Sequence, residues 1–249
     1  MIYLQKKEVI STKRKLLSFV SIFSLVGALF TGSSFAEEKD IGDHKLKEGF
    51  VVVKKNQEVK DLNVLYKEAK KNSKAKKLEQ VDPNTGEKLS FEEYETSQLL
   101  QVAENDQGDK IETYAVTKLA VESDTSKSDS GWDTTLGVKA ASTIYLDKYY
   151  DSRGALYYDL ISSNGTWSVY DSQYSLSNRK VTYGATGYSP FCSASGQNAV
   201  KYPTSDSFSY SAPSTWCAST GPVGVTMDVK ITRGSSSWNF SFSNNMYST

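Results

Sequence analysis

Ser177-Asn178-Arg179-Lys180 has the S-x-x-K spacing, in which a lysine amine activates a serine hydroxyl when a helix brings the two together. The stretch around it reads as strand, where a spacing of three sends two side chains to opposite faces. Neither S-D-N nor K-T-G accompanies it. A Ser-His-Asp or Cys-His arrangement needs an imidazole, and the only histidine is His44, close to the amino terminus. Zinc sites built from His and Cys fail on ligand count, and neither a Walker loop nor a dinucleotide fingerprint is present. No metal and no cofactor is expected. Carboxylate chemistry is what remains. Glycoside hydrolysis uses one acid of raised pKa and one ionised partner, and the second half of the chain offers Asp129, Asp133, Asp147, Asp151, Asp159, Asp171, Asp206 and Asp228. Asp147, Asp151 and Asp171 have the oxygen chemistry for calcium, without an EF-hand loop to arrange it.

The positive signal is aromatic. Tyr145-Leu146-Asp147-Lys148-Tyr149-Tyr150 and Leu156-Tyr157-Tyr158-Asp159-Leu160 flank the turn Asp151-Ser152-Arg153-Gly154 and read as a hairpin. With Ile144, Leu146, Tyr150, Leu156, Tyr158 and Leu160 facing a core, the opposite face presents Tyr145, Tyr149 and Tyr157 beside Asp147 and Asp159. Such a row can stack on sugar rings and hydrogen-bond their hydroxyls, because tyrosine joins a flat apolar body to a polar tip. Tyrosine also simply suits strands and cross-strand pairing. Trp132, Trp167, Trp216 and Trp238 read as core or loop anchors.

These side chains need a β framework. Val225, Met227, Val229 and Ile231 alternate with Thr226, Asp228, Lys230 and Thr232, and Trp238, Phe240 and Phe242 alternate with Asn239, Ser241 and Ser243. Between them Arg233-Gly234-Ser235-Ser236 is a turn, so the pair predicts a second hairpin. Shorter strands are expected at Thr166–Tyr170, Arg179–Thr186 and Asp206–Ser211. About seven short strands divided by Gly, Ser and Asn turns predict an antiparallel sandwich or barrel. Cys192 and Cys217 are the only cysteines and predict one disulfide. Closing a loop of about 26 residues stabilises by roughly 3–4 kcal/mol in the chain-entropy model.

The chain divides by composition. Residues 1–36 have the three parts of a secretory signal: Lys6, Lys7, Lys13, Arg14 and Lys15, an apolar run from Leu16 to Phe30, and Ser34-Phe35-Ala36 before Glu37. Residues 37–126 hold 15 Lys/Arg, 20 Asp/Glu and 5 aromatics, whereas 127–249 hold 9 Lys/Arg, 8 Asp and 20 aromatics. The first of these is expected to be a small, partly ordered α+β polar region, a pro-region or accessory segment that shares no core with residues 127–249. Within it Asp61 can cap a helix carrying Leu62, Leu65, Tyr66 and Ala69 on one face. Pro83-Asn84-Thr85-Gly86 marks a turn, and Gln98–Val102 and Ile111–Val116 alternate as strands. Residues 127–249 are expected to form the all-β domain.

Basic and acidic residues balance at 29 each, which argues against a nucleic acid held by bulk electrostatics. No segment after the signal is long and apolar enough to be an integral membrane helix. The reading is an extracellular protein, secreted or retained at the cell wall, that binds a surface polysaccharide or protein and does not catalyse. Two alternatives stand beside it: a secreted hydrolase made as a proenzyme using paired aspartates, and a pore-forming or antimicrobial factor built from amphipathic strands.

Overall fold

The structure, a computed structural model, describes residues 46–123, 137–193 and 196–246. The signal pattern, His44, Trp132, Asp129 and Asp133 lie outside the described residues.

The strands are β1 (Val51–Lys55), β2 (Lys76–Val81), β3 (Lys88–Glu104), β4 (Lys110–Glu122), β5 (Val138–Tyr150), β6 (Leu156–Val169), β7 (Tyr174–Ala185), β8 (Gln197–Lys201), β9 (Ser207–Ser211), β10 (Val223–Arg233) and β11 (Ser236–Met246). One helix, α1 (Leu62–Asn72), lies between β1 and β2. Its start is set by Asp61, whose carboxylate accepts from the Asn63 and Val64 amides and satisfies two otherwise orphaned donors. Leu65, Tyr66 and Ala69 are its buried residues.

All pairings among the described residues are antiparallel. A seven-stranded sheet runs β1-β3-β4-β5-β6-β9, with β2 beside β1 on the same edge of the 17-residue β3. A four-stranded sheet runs β11-β10-β7-β8. Together they curl into a half-barrel. Period-two alternation does the sorting: Val225, Met227, Val229 and Ile231 meet Trp238, Phe240 and Phe242 in the main core, while Thr226, Asp228, Asn239 and Ser241 point away. The β10–β11 turn is Gly234-Ser235, with Gly234 at φ 56°, a conformation that costs glycine no Cβ clash. The larger sheet adds Ile144, Leu146, Tyr158, Leu160 and Trp167 to that core.

The boundary seen in composition is not a boundary between cores. β4 pairs with β5 over twelve residues, from Lys110↔Tyr150 to Val121↔Lys139, so residues from both compositional regions share one sheet. Leu89, Phe91, Val116 and Ala120 enter the main core, with Phe91 stacked on Phe240 at 4.2 Å. The Asp82–Gly86 turn also docks on the β10–β11 hairpin: the Ser237 amide donates to Asp82, the Trp238 indole donates to the Glu87 carbonyl at 3.0 Å, and Arg233 pairs with Glu87. Five aromatics cannot build a core of their own, but strands of mixed polarity can complete one that an aromatic-rich partner supplies. The expected Gln98–Val102 and Ile111–Val116 strands are the middles of β3 and β4. Thr166–Tyr170 forms no separate strand; its residues up to Val169 continue β6.

Candidate functional site

The β5–β6 hairpin turns at Asp151, whose carboxylate accepts from the Arg153 and Ala155 amides, with Gly154 at φ 84°. Its register sets Tyr149 opposite Tyr157 and Asp147 opposite Asp159. Ile144, Leu146, Tyr158 and Leu160 lie in the main core and Leu156 packs against it, whereas Tyr150 is half-buried with its hydroxyl on Glu112. Tyr145, Tyr149 and Tyr157 belong to separate clusters on the far side of the sheet.

That side is not the open platform expected from the sequence. Tyr145, Tyr149 and Tyr157 are only 3%, 8% and 9% exposed. Both regions contribute to the cover: α1 packs over Tyr94, Leu119 and Ala141, Leu46 and Phe50 pack at the end near Ile111, and Ala218 and Phe191 pack against Tyr149 and Tyr157. Tyr145 donates to Glu58 Oε1 at 2.7 Å. Asp147 is buried and accepts from Thr113 Oγ1 at 2.7 Å, with half-buried Asp159 across the ladder. A cavity of about 30 Å³ lies between the α1 approach and β5–β6, lined in part by Glu58, Leu62, Thr117, Thr143, Tyr145 and Asn164. It has room for water and none for a sugar ring.

The hairpin end is different. Phe191, from the segment between β7 and β8, stands edge-on to both Tyr149 and Tyr157, at 5.3 Å in each case. Phe50 meets Tyr149 at 6.1 Å. The Lys47 ammonium sits 4.5 Å from the Tyr149 ring centre and 4.3 Å from that of Phe191. Tyr149 donates to Asp109 Oδ2 at 2.9 Å, and Asp109 also accepts from Asn105 and the Ser152 amide. The Tyr149 bond leads these contacts in holding the Asp109 carboxyl below its ordinary range. Burial, reinforced by that carboxylate, pushes the Tyr149 hydroxyl up to about 12. The pair is therefore an ionised acceptor and a neutral donor at neutral pH.

Phe191 is 46% exposed and Tyr188 70%, on a segment tied down at several points. The Cys192–Cys217 disulfide, expected from the sequence, anchors one end. The Thr220 amide donates to the Tyr188 carbonyl at 2.9 Å, the Phe191 amide to Ser189 Oγ at 3.1 Å, and the Gln197 amide group to the Cys217 carbonyl at 2.8 Å. Gly187, at φ 92°, lies so close to Gly221 that a Cβ would meet its amide nitrogen at 2.5 Å. Sequence reasoning passed over Phe191 and Lys47; the adjacency of Phe191 to Cys192 was the one available clue.

The remaining chemistry-bearing groups are engaged elsewhere. Asp82, Asp151 and Asp171 each accept turn amides, Asp206 pairs with Arg179, and Asp228 lies 3.6 Å from Lys180. A bulge at residues 178–179, with Asn178 at φ 53°, brings Ser177 and Lys180 to the same outer face rather than to opposite ones. Lys180 is turned to Asp228. Trp167 and Trp238 are core residues and Trp216 packs against the core. Among the described residues no group of three or more His, Cys, Asp or Glu is placed to hold a metal, and no helix is long and apolar enough to cross a membrane. No protein family, curated protein or solved structure matches the chain.

Proposed function

We propose that this is an exported, non-catalytic binding protein that recognises a cell-surface polysaccharide through the aromatic segment Gly187–Cys192 and the hairpin end beneath it. One observation carries the reading. Two large aromatic side chains, Tyr188 and Phe191, are held toward solvent on a backbone fixed by a disulfide, by hydrogen bonds and by packing on Tyr149 and Tyr157. Exposed aromatics on a rigid loop give up little conformational entropy on binding and supply large flat contacts, the composition of recognition loops generally. The sugar-stacking role expected of Tyr149 and Tyr157 thus passes to the residues they support. Retention of the protein on isolated cell walls and purified wall polysaccharides tests this. Binding above a denatured control is expected, with at least a tenfold loss in a Tyr188→Ala, Phe191→Ala double variant. Equal binding by the variant, or no retention of the native protein, overturns it.

The hydrolase alternative keeps one specific observation in its favour, the direct opposition of Asp147 and Asp159. Directly opposed residues have Cβ atoms about 4.5–5.5 Å apart, compatible with the carboxylate separation of about 5–5.5 Å in retaining glycosidases. Under this reading Asp159→Asn abolishes release of reducing sugar from wall polysaccharide; under the binding reading there is no such release to abolish.

A further inference from the structure

The arrangement around Lys47 has the form of an occupied receptor. An ammonium group lies within 4.5 Å of two ring centres whose planes cross at 87°. Tyr157 braces Phe191 from a second direction, with planes at 74°, and Phe50 leans on Tyr149 at 65°. Faces of aromatic rings carry negative potential, and a cation within about 6 Å of the centroid is attracted to them. The Asp109 carboxylate, hydrogen-bonded to the Tyr149 hydroxyl, adds negative charge close to the same ring. Lys47 itself reaches the corner from a surface turn, in which the Phe50 amide donates to the Lys47 carbonyl at 3.3 Å and Gly49 takes φ 87°.

We propose that Tyr149 and Phe191, supported by Tyr157 and Phe50, form an aromatic cage for a quaternary ammonium group, and that Lys47 is a resident plug which such a ligand displaces. The inference rests on the binding function proposed above and names the chemistry recognised: a choline-type trimethylammonium substituent on the surface polysaccharide. A primary ammonium is compact and strongly hydrated, and it gives up hydrogen bonds to water when it enters an aromatic corner. A trimethylammonium group carries its charge on an apolar surface and has no N–H to desolvate, so it is the better occupant. The internal lysine lowers the apparent affinity by the fraction of time it fills the cage. Its contact is a surface one and weak, so the expected penalty is about two- to fivefold.

The test is titration of the full chain, followed by calorimetry and by NMR of the aromatic signals, with choline and with its uncharged isostere 3,3-dimethylbutan-1-ol. Saturable choline binding that moves the Tyr149 and Phe191 resonances is expected, at least tenfold tighter than binding of the isostere. Lys47→Ala should tighten choline binding about two- to fivefold. Phe191→Leu, which keeps apolar bulk and loses the ring, should weaken it at least tenfold with an unchanged unfolding temperature. No saturable choline binding by either the native chain or Lys47→Ala overturns the cage, as does equal binding of choline and the isostere. Polysaccharide binding that excess choline fails to displace also overturns the cage and leaves the binding function standing; failure of both choline and polysaccharide to bind removes both. Retention on phosphatidylcholine vesicles without retention on polysaccharide overturns the assignment of the ligand to a glycan.

Discussion

At the scale of single residues, carboxylates do much of the shaping. Asp82, Asp109 and Asp151 each accept backbone amides, and in all three the carboxyl is held below its ordinary value of 3.8. The leading causes are the Ser237 amide for Asp82, the Tyr149 hydroxyl for Asp109 and the Ala155 amide for Asp151. A carboxyl whose pKa is lower folded than unfolded favours the folded state when ionised. That stability is fully present well above the ordinary Asp value and is lost as the pH falls through the folded one. The unfolding temperature should therefore be level from pH 7 to about pH 5 and decline below about pH 4. Tyr149→Phe removes the largest cause at Asp109, so its carboxyl resonance should titrate at higher pH in that variant; an unchanged titration would show that the hydroxyl contributes nothing. The direction in which Tyr149 faces was legible from strand alternation alone. Its partner Asp109 was not, because 40 residues separate them and only the β4–β5 pairing brings them together.

At the scale of elements, the strands with one apolar face announced themselves and those without did not. β10 and β11 alternate cleanly, and their middles, residues 225–232 and 238–243, were readable from the sequence. β1 is exposed at all five positions, β2 has four exposed residues of six, and β8 places only Gln197 in a buried position. Such strands are defined by backbone pairing with β3 and β7, which no side-chain period encodes. Among the described residues between β7 and β8 there is no regular element, and Gly187–Cys192 is held by cross-links. Replacing Cys192 and Cys217 by serine releases a loop with a sequence separation of 25. The expected loss is about 3–4 kcal/mol, or a fall of roughly 10 °C in the unfolding temperature. Crystallography or NMR of this variant should find Phe191 detached from Tyr149 and Tyr157, and the proposed polysaccharide binding should fall with it. Retained binding would mean that the rigidity of the segment is irrelevant to recognition.

At the scale of the whole molecule, the acidic first region and the aromatic second region are halves of one construction. A chain cut down to residues 127–249 would lose Leu89, Phe91, Val116 and Ala120 from the main core and would leave the 13-residue β5 without its β4 neighbour. An unpaired edge of that length is a template for association with other chains. The truncated chain should aggregate and show no cooperative unfolding transition by circular dichroism; a sharp transition would establish that the second half folds alone and would revive the notion of a removable pro-region. Composition misled here because it counts side chains per segment, whereas a core is filled by whichever strands the topology brings against it. The same topology orders events in time. β3, β4, β5 and β6 are consecutive in the chain and adjacent in the sheet, so each can zip onto the one before it. β10 must instead find β7 across everything from Thr186 to Pro222, a non-local closure and hence a slow one. Cys192 and Cys217 both lie inside that stretch, and their bond shortens the path the chain has to close. An oxidised chain should refold faster than a reduced one, with the four-stranded sheet the last part of the protein to form.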